Sequence, residues 1–360
     1  MTPYKKRPTR KDVAQAAGVS LSLVTYALDP ACKHPVSAGA RERILKIAAE
    51  LDYVPSFSGR SLKSQHSFNI ALVMPHELVT SVSQYYLQMF HSFCRTINDT
   101  EYQPVVFFGV DEKLLRRIKE RRVDAIVLLN GIFDFSEKYE QLFENTLPKV
   151  FLNSRYVCSK PYTSSVNSDH CAVVNCGLDS LADAGCRRIM AVTGGIICYA
   201  NKLISEAVQD WGRLHTGIEL LHSGIQLEKN HYLDGEINSA YGSIISYQHG
   251  IEELDTVLEK MFVEHALPDG IFCDGDILKG VIIDFYRKKK LPLPKVFWID
   301  TISADNEIFV QQPYLLGSSA CQEALRMVNS KAQQGQEILI PYIKNEFLVN
   351  VPNFVMGRVV

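Results

Sequence analysis

The chain has 360 residues, with 38 Lys+Arg against 40 Asp+Glu for a net charge of −2, and 46% of its residues are hydrophobic. That is enough chain for a small head plus two domain-sized units with substantial cores. No run of about eighteen apolar residues occurs, which excludes a membrane-spanning helix. The near-neutral total hides an asymmetry: residues 1–65 carry eleven Lys or Arg against five Asp or Glu, a balance of +6, so residues 66–360 carry −8. Lys5, Lys6, Arg7, Arg10 and Lys11 cluster near the start, and Arg41, Arg43, Lys46, Arg60 and Lys63 follow. Phosphate binding needs such a distribution, although a charge run also serves as a solvated face. The nine cysteines, an odd number without any CxxC, fit a reduced compartment and small buried fillers. A basic start followed by a polar helix, rather than an apolar signal region, predicts a cytoplasmic protein.

In chain order, residues 9–29, TRKDVAQAAGVSLSLVTYALD, predict two short helices around a tight turn. Thr9 is placed to cap the first with Asp12 three positions on, and Val13, Ala14 and Ala17 recur at helical spacing. Gly18 ends it. Ser20 caps the second helix, which turns Leu23, Val24 and Ala27 inward and Leu21, Ser22, Thr25 and Tyr26 outward. This is the unit that lays a helix into the DNA major groove, the alternative being an ordinary helical hairpin in a core. A third helix is expected from Ser37 to Leu51. After Pro55, the residues Ser56, Ser58, Gly59 and Ser61 are poor helix formers, so that segment is either a plain linker or a hinge helix ordered only by a partner.

DVAQAAGVS, the third helix and LDYVPSFSGRSLKSQ, in this order and spacing, resemble the head and hinge of the lactose-repressor/galactose-repressor family of bacterial transcription regulators. The resemblance implies a three-helix head followed by a hinge helix whose leucine, here Leu62, wedges into the minor groove. It implies DNA contacts from Arg10, Ser20, Leu21, Ser22, Thr25, Tyr26, Ser37, Tyr53, Ser56, Leu62 and Lys63.

From Phe68 onward, apolar runs alternate with amphipathic segments, as in a parallel sheet with helices on both faces. Strands are predicted at 69–74, 104–109, 125–130 and 149–153, with helices near 84–97, 111–121 and 136–145. A second set follows: a helix from Asp169 to Ala184, a strand at 188–193, a helix around 200–214, a strand at 270–273, a helix at 276–289 and a strand at 295–300. A last helix is expected from about 319 to 334, with extended stretches near 338–343 and 347–351. The segment 223–250, with His231, Tyr232, Tyr241, Tyr247 and His249, either lines a cleft or forms a surface excursion.

Two open sheets facing each other leave a cleft at the carboxyl ends of their strands, where small polar ligands bind. This body is similar to the effector domain of the same family, which shares its fold with periplasmic sugar-binding proteins. The matching features are the helix start at Asp169, AGCRRIMAVTGG at 184–195 and PDGIFCDGDILKG at 268–280. The resemblance implies effector contacts from Val79, Ser83, Tyr85, Asn130, Lys202 and Asp276. A carboxylate at 276 would accept hydrogen bonds from vicinal hydroxyls, or else serve as a helix N-cap. Lys202 stands where the family carries an arginine and lacks its bidentate fork. The family's Asn-Asp pair is Gly275-Asp276 here, its glycine before the Asp-containing turn is Trp298, and its Pro-x-Leu-Thr-Thr is Pro313-Tyr314-Leu315-Leu316-Gly317. Trp298 either stacks on a sugar ring or belongs to the core.

The expected fold class is thus an all-α three-helix helix-turn-helix head plus an α/β periplasmic-binding-protein-like body of two doubly wound parallel-sheet subdomains. The expected boundaries are 1–54 for the head, 55–67 for the hinge, and 68–360 for the effector-binding and dimerisation body, divided at about 167 with crossing segments after 310. An enzyme is disfavoured, since no Walker loop, GxGxxG, GxSxG or HExxH occurs. An exported solute-binding protein would share the body but lack the basic head. The expected protein is a bacterial cytoplasmic, nucleoid-associated regulator without a cofactor or metal. Its expected partners are double-stranded operator DNA, a sugar-like effector and a second copy of itself.

Overall fold

The computed structural model describes residues 7–29, 34–74, 84–129, 142, 146–153, 160–193, 199–224, 252–300 and 308–344. The chain forms two compact units, Met1–Ser67 and Phe68–Val360.

The first unit holds α1 (Arg10–Ala17), α2 (Leu21–Leu28), α3 (Ala38–Glu50) and α4 (Phe57–Ser64). Thr9 and Asp12 close a reciprocal capping box on α1, which satisfies two backbone N–H groups that the helix start leaves without partners. Gly18 ends α1 at φ 63°, its N–H directed to the carbonyls of Ala14 and Gln15, a left-handed position that glycine occupies at least cost. Ser20 accepts the Leu23 N–H at 3.2 Å and Ser37 accepts the Ala40 N–H at 3.3 Å. Val13, Ala14, Ala17, Val24, Ala27, Ile44 and Ala48 form the buried centre of the three helices. From α3, Arg41 donates to the Ala27 carbonyl at 3.1 Å, giving the end of α2 the cation that its own last turn lacks.

The second unit is built on two six-stranded sheets. The first contains β1 (Asn69–Met74), β2 (Gln103–Phe108), β3 (Ala125–Leu129), β4 (Lys149–Leu152), β5 (Thr163–Ser168) and β11 (Glu337–Ile340), in the order β11-β5-β4-β3-β1-β2. The second contains β6 (Arg188–Thr193), β7 (Glu219–Gly224), β8 (Gly270–Asp274), β9 (Lys295–Asp300), β10 (Ile308–Val310) and β12 (Ile343–Lys344), in the order β12-β10-β9-β8-β6-β7. All pairings are parallel except β10 with β12.

Helices cover both faces of each sheet. On the first, α5 (Gln84–Asn98) and α11 (Pro313–Ser330) bury Met89, Phe93, Leu316 and Ala320 against Leu72, Val127 and Val150, while α6 (Glu112–Lys119) covers the other face with Leu114 and Ile118. On the second, α7 (His170–Asp183) and α8 (Tyr199–Leu214) pack on one face. A helix over 252–263, α9, and α10 (Asp276–Lys288) pack on the other. Asp169 caps α7 by accepting the Ala172 N–H at 3.0 Å.

The chain passes from the first sheet to the second through α7, returns through α11 to β11, and ends its described course in β12 of the second sheet. Several elements differ from expectation. β5, with the sequence TSSVNS, is a fully buried strand without the apolar run that marks its neighbours. Also unforeseen are β7, α9 and the three-residue β10. The last helix begins at Pro313 and not near 319, because proline fits the first helical position, where an N–H would be unpartnered anyway. Apart from Leu142, the helix expected at 136–145 lies outside the described residues, as does the strand expected at 347–351.

Candidate nucleic-acid interface and ligand-binding face

In the head, α2 presents the side chains expected to read DNA. Leu21 is 49% exposed, Ser22 is exposed, and Thr25 and Tyr26 are half-buried. Arg10, the first residue of α1, donates from Nη1 to Thr25 Oγ1 at 2.7 Å, and that hydroxyl donates to the Leu21 carbonyl at 2.9 Å. Ser20 and Ser37 spend their hydroxyls as helix caps. Tyr53 packs at the margin of the three-helix core. Ser56 is at the N-cap of α4 without a side-chain cap bond, and Lys63 lies in the last turn of that helix. Val54 is 77%, Phe57 46% and Leu62 84% exposed. Three large apolar side chains within nine residues are thus withheld from the core of their own unit.

In the body, polar side chains collect at the carboxyl ends of the strands. Tyr85, in the first turn of α5, is buried, and its hydroxyl donates to Gln311 Oε1 at 2.5 Å. The same oxygen accepts from Ser168 Oγ, at the end of β5, at 2.7 Å. The expected ligand residue Tyr85 is therefore bonded to Gln311, immediately after β10 in the second sheet. Sequence reasoning missed both of its companions, since neither Ser168 nor Gln311 belongs to a recognisable motif. Beside Ser168, Asn167 is buried and both atoms of its side-chain amide lack a hydrogen-bond partner. Thr193, the last residue of β6, has Oγ1 3.1 Å from Nε2 of His222 within β7, and burial pushes that imidazole below its ordinary pKa.

Lys202 lies on the exposed side of α8, with Nζ 3.6 Å from Glu206 Oε1 one turn along, a type of surface pair that contributes little. Asp276 is the first residue of α10, and the N-cap position belongs to Gly275, which displaces the N-cap reading of Asp276. Gly275 has φ 105° and ψ 134°, a conformation open essentially to glycine alone, so the departure from the Asn-Asp pattern has a backbone cause. Trp298 is a core residue, 5% exposed, with Lys279 Nζ 5.6 Å from its ring centroid. Val79, Ser83, Asn130 and the aromatic segment 225–250 lie outside the described residues. Among the described residues, no cluster of His, Cys, Asp and Glu could hold a metal ion, and no helix is long and apolar enough to cross a membrane.

A capped helix-turn-helix in one unit and two parallel sheets joined by crossing segments in the other define the class: a DNA-binding transcription regulator with a periplasmic-binding-protein-like body. Residues 9–56 match the family described as bacterial regulatory proteins, lacI family. The ribose operon repressor of Halalkalibacterium halodurans is 25% identical over 352 residues, covering 92% of this chain and 94% of that protein. The HTH-type transcriptional regulator MalR of Streptococcus pneumoniae is 29% identical over 303 residues, covering 79% and 81%. The solved structure of the Lac repressor dimer bound to operator and the anti-inducer ONPF matches with a TM-score of 0.62 at 18% identity, covering 94% of this chain and 97% of that one. The head thus carries the match to the lacI family of bacterial regulatory proteins, and the chain is similar over most of its length to transcription regulators of bacteria.

Proposed function

We propose that this regulator is a cytoplasmic, non-enzymatic repressor that binds a pseudo-palindromic operator as a homodimer. The head, residues 1–54, enters the major groove through α2, the hinge 55–67 lies in the minor groove, and the body 68–360 dimerises and takes a small polar, sugar-like effector. The observation that carries this reading is the exposed apolar set Val54, Phe57 and Leu62 on and beside α4. Burying a leucine is worth about 1.5–3 kcal/mol, a gain that this one realises only against a partner. Minor-groove architectural proteins insert such side chains between base steps and kink the duplex. Two heads are needed because one small module buries too little surface for tight specific binding.

The test begins with selection of an operator from a random duplex pool by the full chain. Leu62→Ala should lower affinity for that operator at least tenfold and reduce the bend measured by gel-shift phasing, with the dimer intact. Equal bending by both proteins would remove Leu62 from this role.

The effector reading rests on the polar groups at the strand ends and on Asp276 at the start of α10. A thermal-shift screen of sugars and sugar phosphates on the full chain should find a compound that raises Tm, since a ligand at a hundredfold its Kd adds about 2.7 kcal/mol. Asp276→Ala should abolish that shift and the compound's effect on operator binding, and a normal response would place the ligand elsewhere.

A further inference from the structure

The ring of Tyr26 on α2 stacks on the ring of His34, with centroids 4.4 Å apart and an interplanar angle of 25°. His34 is exposed and precedes residues 35–37, outside any helix or strand, that lead into α3. It stands in no helix of the head, and its position in the sequence gives no sign of the contact. A tyrosine on a helix has two accessible χ1 rotamers, which carry its hydroxyl to places several ångströms apart. A ring lying flat against the phenol admits only one of them.

The neighbouring side chain is held in a comparable way, Arg10 of α1 bonding Thr25 Oγ1 at 2.7 Å. Two of the four outward side chains of α2 are therefore positioned by groups from outside that helix. This matters because Leu21, Ser22, Thr25 and Tyr26 include no Arg, Asn or Gln for two-pronged base contacts. Discrimination then depends on single hydrogen bonds and methyl contacts, and a single bond selects a base only when its donor is held to within about half an ångström.

We infer that His34 is a specificity-determining positioning residue, which holds the Tyr26 ring in the one rotamer that reads its base. The inference rests on α2 being the base-reading helix, as proposed above. An imidazole supplies the flat face at an exposed site without adding another apolar side chain to the head surface.

The experiment compares motifs selected from a random duplex pool by the full-length wild type and by His34→Ala, His34→Phe and Tyr26→Phe. His34→Ala should weaken base preference about three- to tenfold at one symmetry-related pair of positions, and Tyr26→Phe should weaken the same pair. His34→Phe keeps the stack and should keep the motif, which also separates positioning from any failure of His34→Ala to fold. The salt dependence of binding should be unchanged in all variants, because no phosphate contact is lost. An unchanged motif in His34→Ala would overturn the inference and leave the base-reading role of α2 standing. So would loss of preference in His34→Phe, which would make the ring nitrogens a direct contact, and so would a uniform loss of affinity with a shallower salt slope. Failure of the wild type to enrich any motif would remove the base-reading assignment itself, and this inference with it.

Discussion

Burial and hydrogen bonding at single residues carry consequences that the sequence does not announce. His170 opens α7, is 2% exposed, and has Nδ1 2.9 Å from the Tyr342 hydroxyl. Burial pushes its imidazole down to about 4 from the ordinary 6.5. The folded state thus keeps His170 neutral at pH values where the unfolded chain takes up a proton, so its contribution to stability is full above about 6.5 and declines as pH falls toward 4. Over that window the loss is on the order of 3 kcal/mol. His170→Gln can still bond the Tyr342 hydroxyl but does not titrate. Urea midpoints measured between pH 7.5 and 4.5 should fall less steeply for this variant than for the wild type, and parallel curves would assign the acid sensitivity to other groups.

Packing between elements explains one departure from the pattern of the lacI family, at Gly317. Gly317 sits in α11 where it crosses α5, and a Cβ there would overlap the Met89 backbone carbonyl and Ser92 Oγ. The backbones approach that closely because Gly317 has no side chain. Gly317→Ala should therefore cost about 1–3 kcal/mol through overpacking. Gly280, in α10, is exposed, and a Cβ added there would meet nothing within 4 Å, so Gly280→Ala should stabilise by about 0.5–1 kcal/mol through helix propensity. Denaturant midpoints that moved in the same direction for both variants would refute this account.

Further along α11, Glu323 accepts from Ser164 Oγ of β5, from Arg326 Nε and Nη2, and from Gln336 Nε2 just before β11. Burial pushes this carboxyl upward, yet the bonds from Arg326, Ser164 and Gln336 outweigh it and hold the group below the usual carboxylate range. That clasp is also why β5 escaped sequence reading. Its Ser164 and Ser168 point at polar partners on other elements, so the strand needs no apolar run to be buried.

For the whole molecule, the separation of a +6 head from a −8 remainder sets how DNA binding responds to salt. A dimer that neutralises six to ten phosphates should lose about 10³- to 10⁵-fold in operator affinity between 50 and 200 mM salt. Residues 66–360 alone should bind DNA negligibly. Filter binding across that salt range, on the full chain and on the body, checks both, and tight operator binding by the body would overturn the division of labour.

Local chemistry sufficed for the head: Thr9, Asp12, Gly18, Ser20 and Ser37 are caps and turns whose partners lie within four residues, so spacing alone placed α1, α2 and α3. Apolar runs likewise marked β1, β3, β4, β6, β8 and β9, because a strand of a helix-covered parallel sheet that lacks polar partners on other elements is filled with apolar residues. Only the tertiary structure decided what depends on distant partners. The bonds of Tyr85 and Ser168 to Gln311 span 226 and 143 residues, the close crossing of α11 and α5 joins segments far apart in the sequence, and Tyr26 meets a ring that belongs to no helix of the head. No periodicity records such contacts, since each side chain takes its role from what the fold brings beside it.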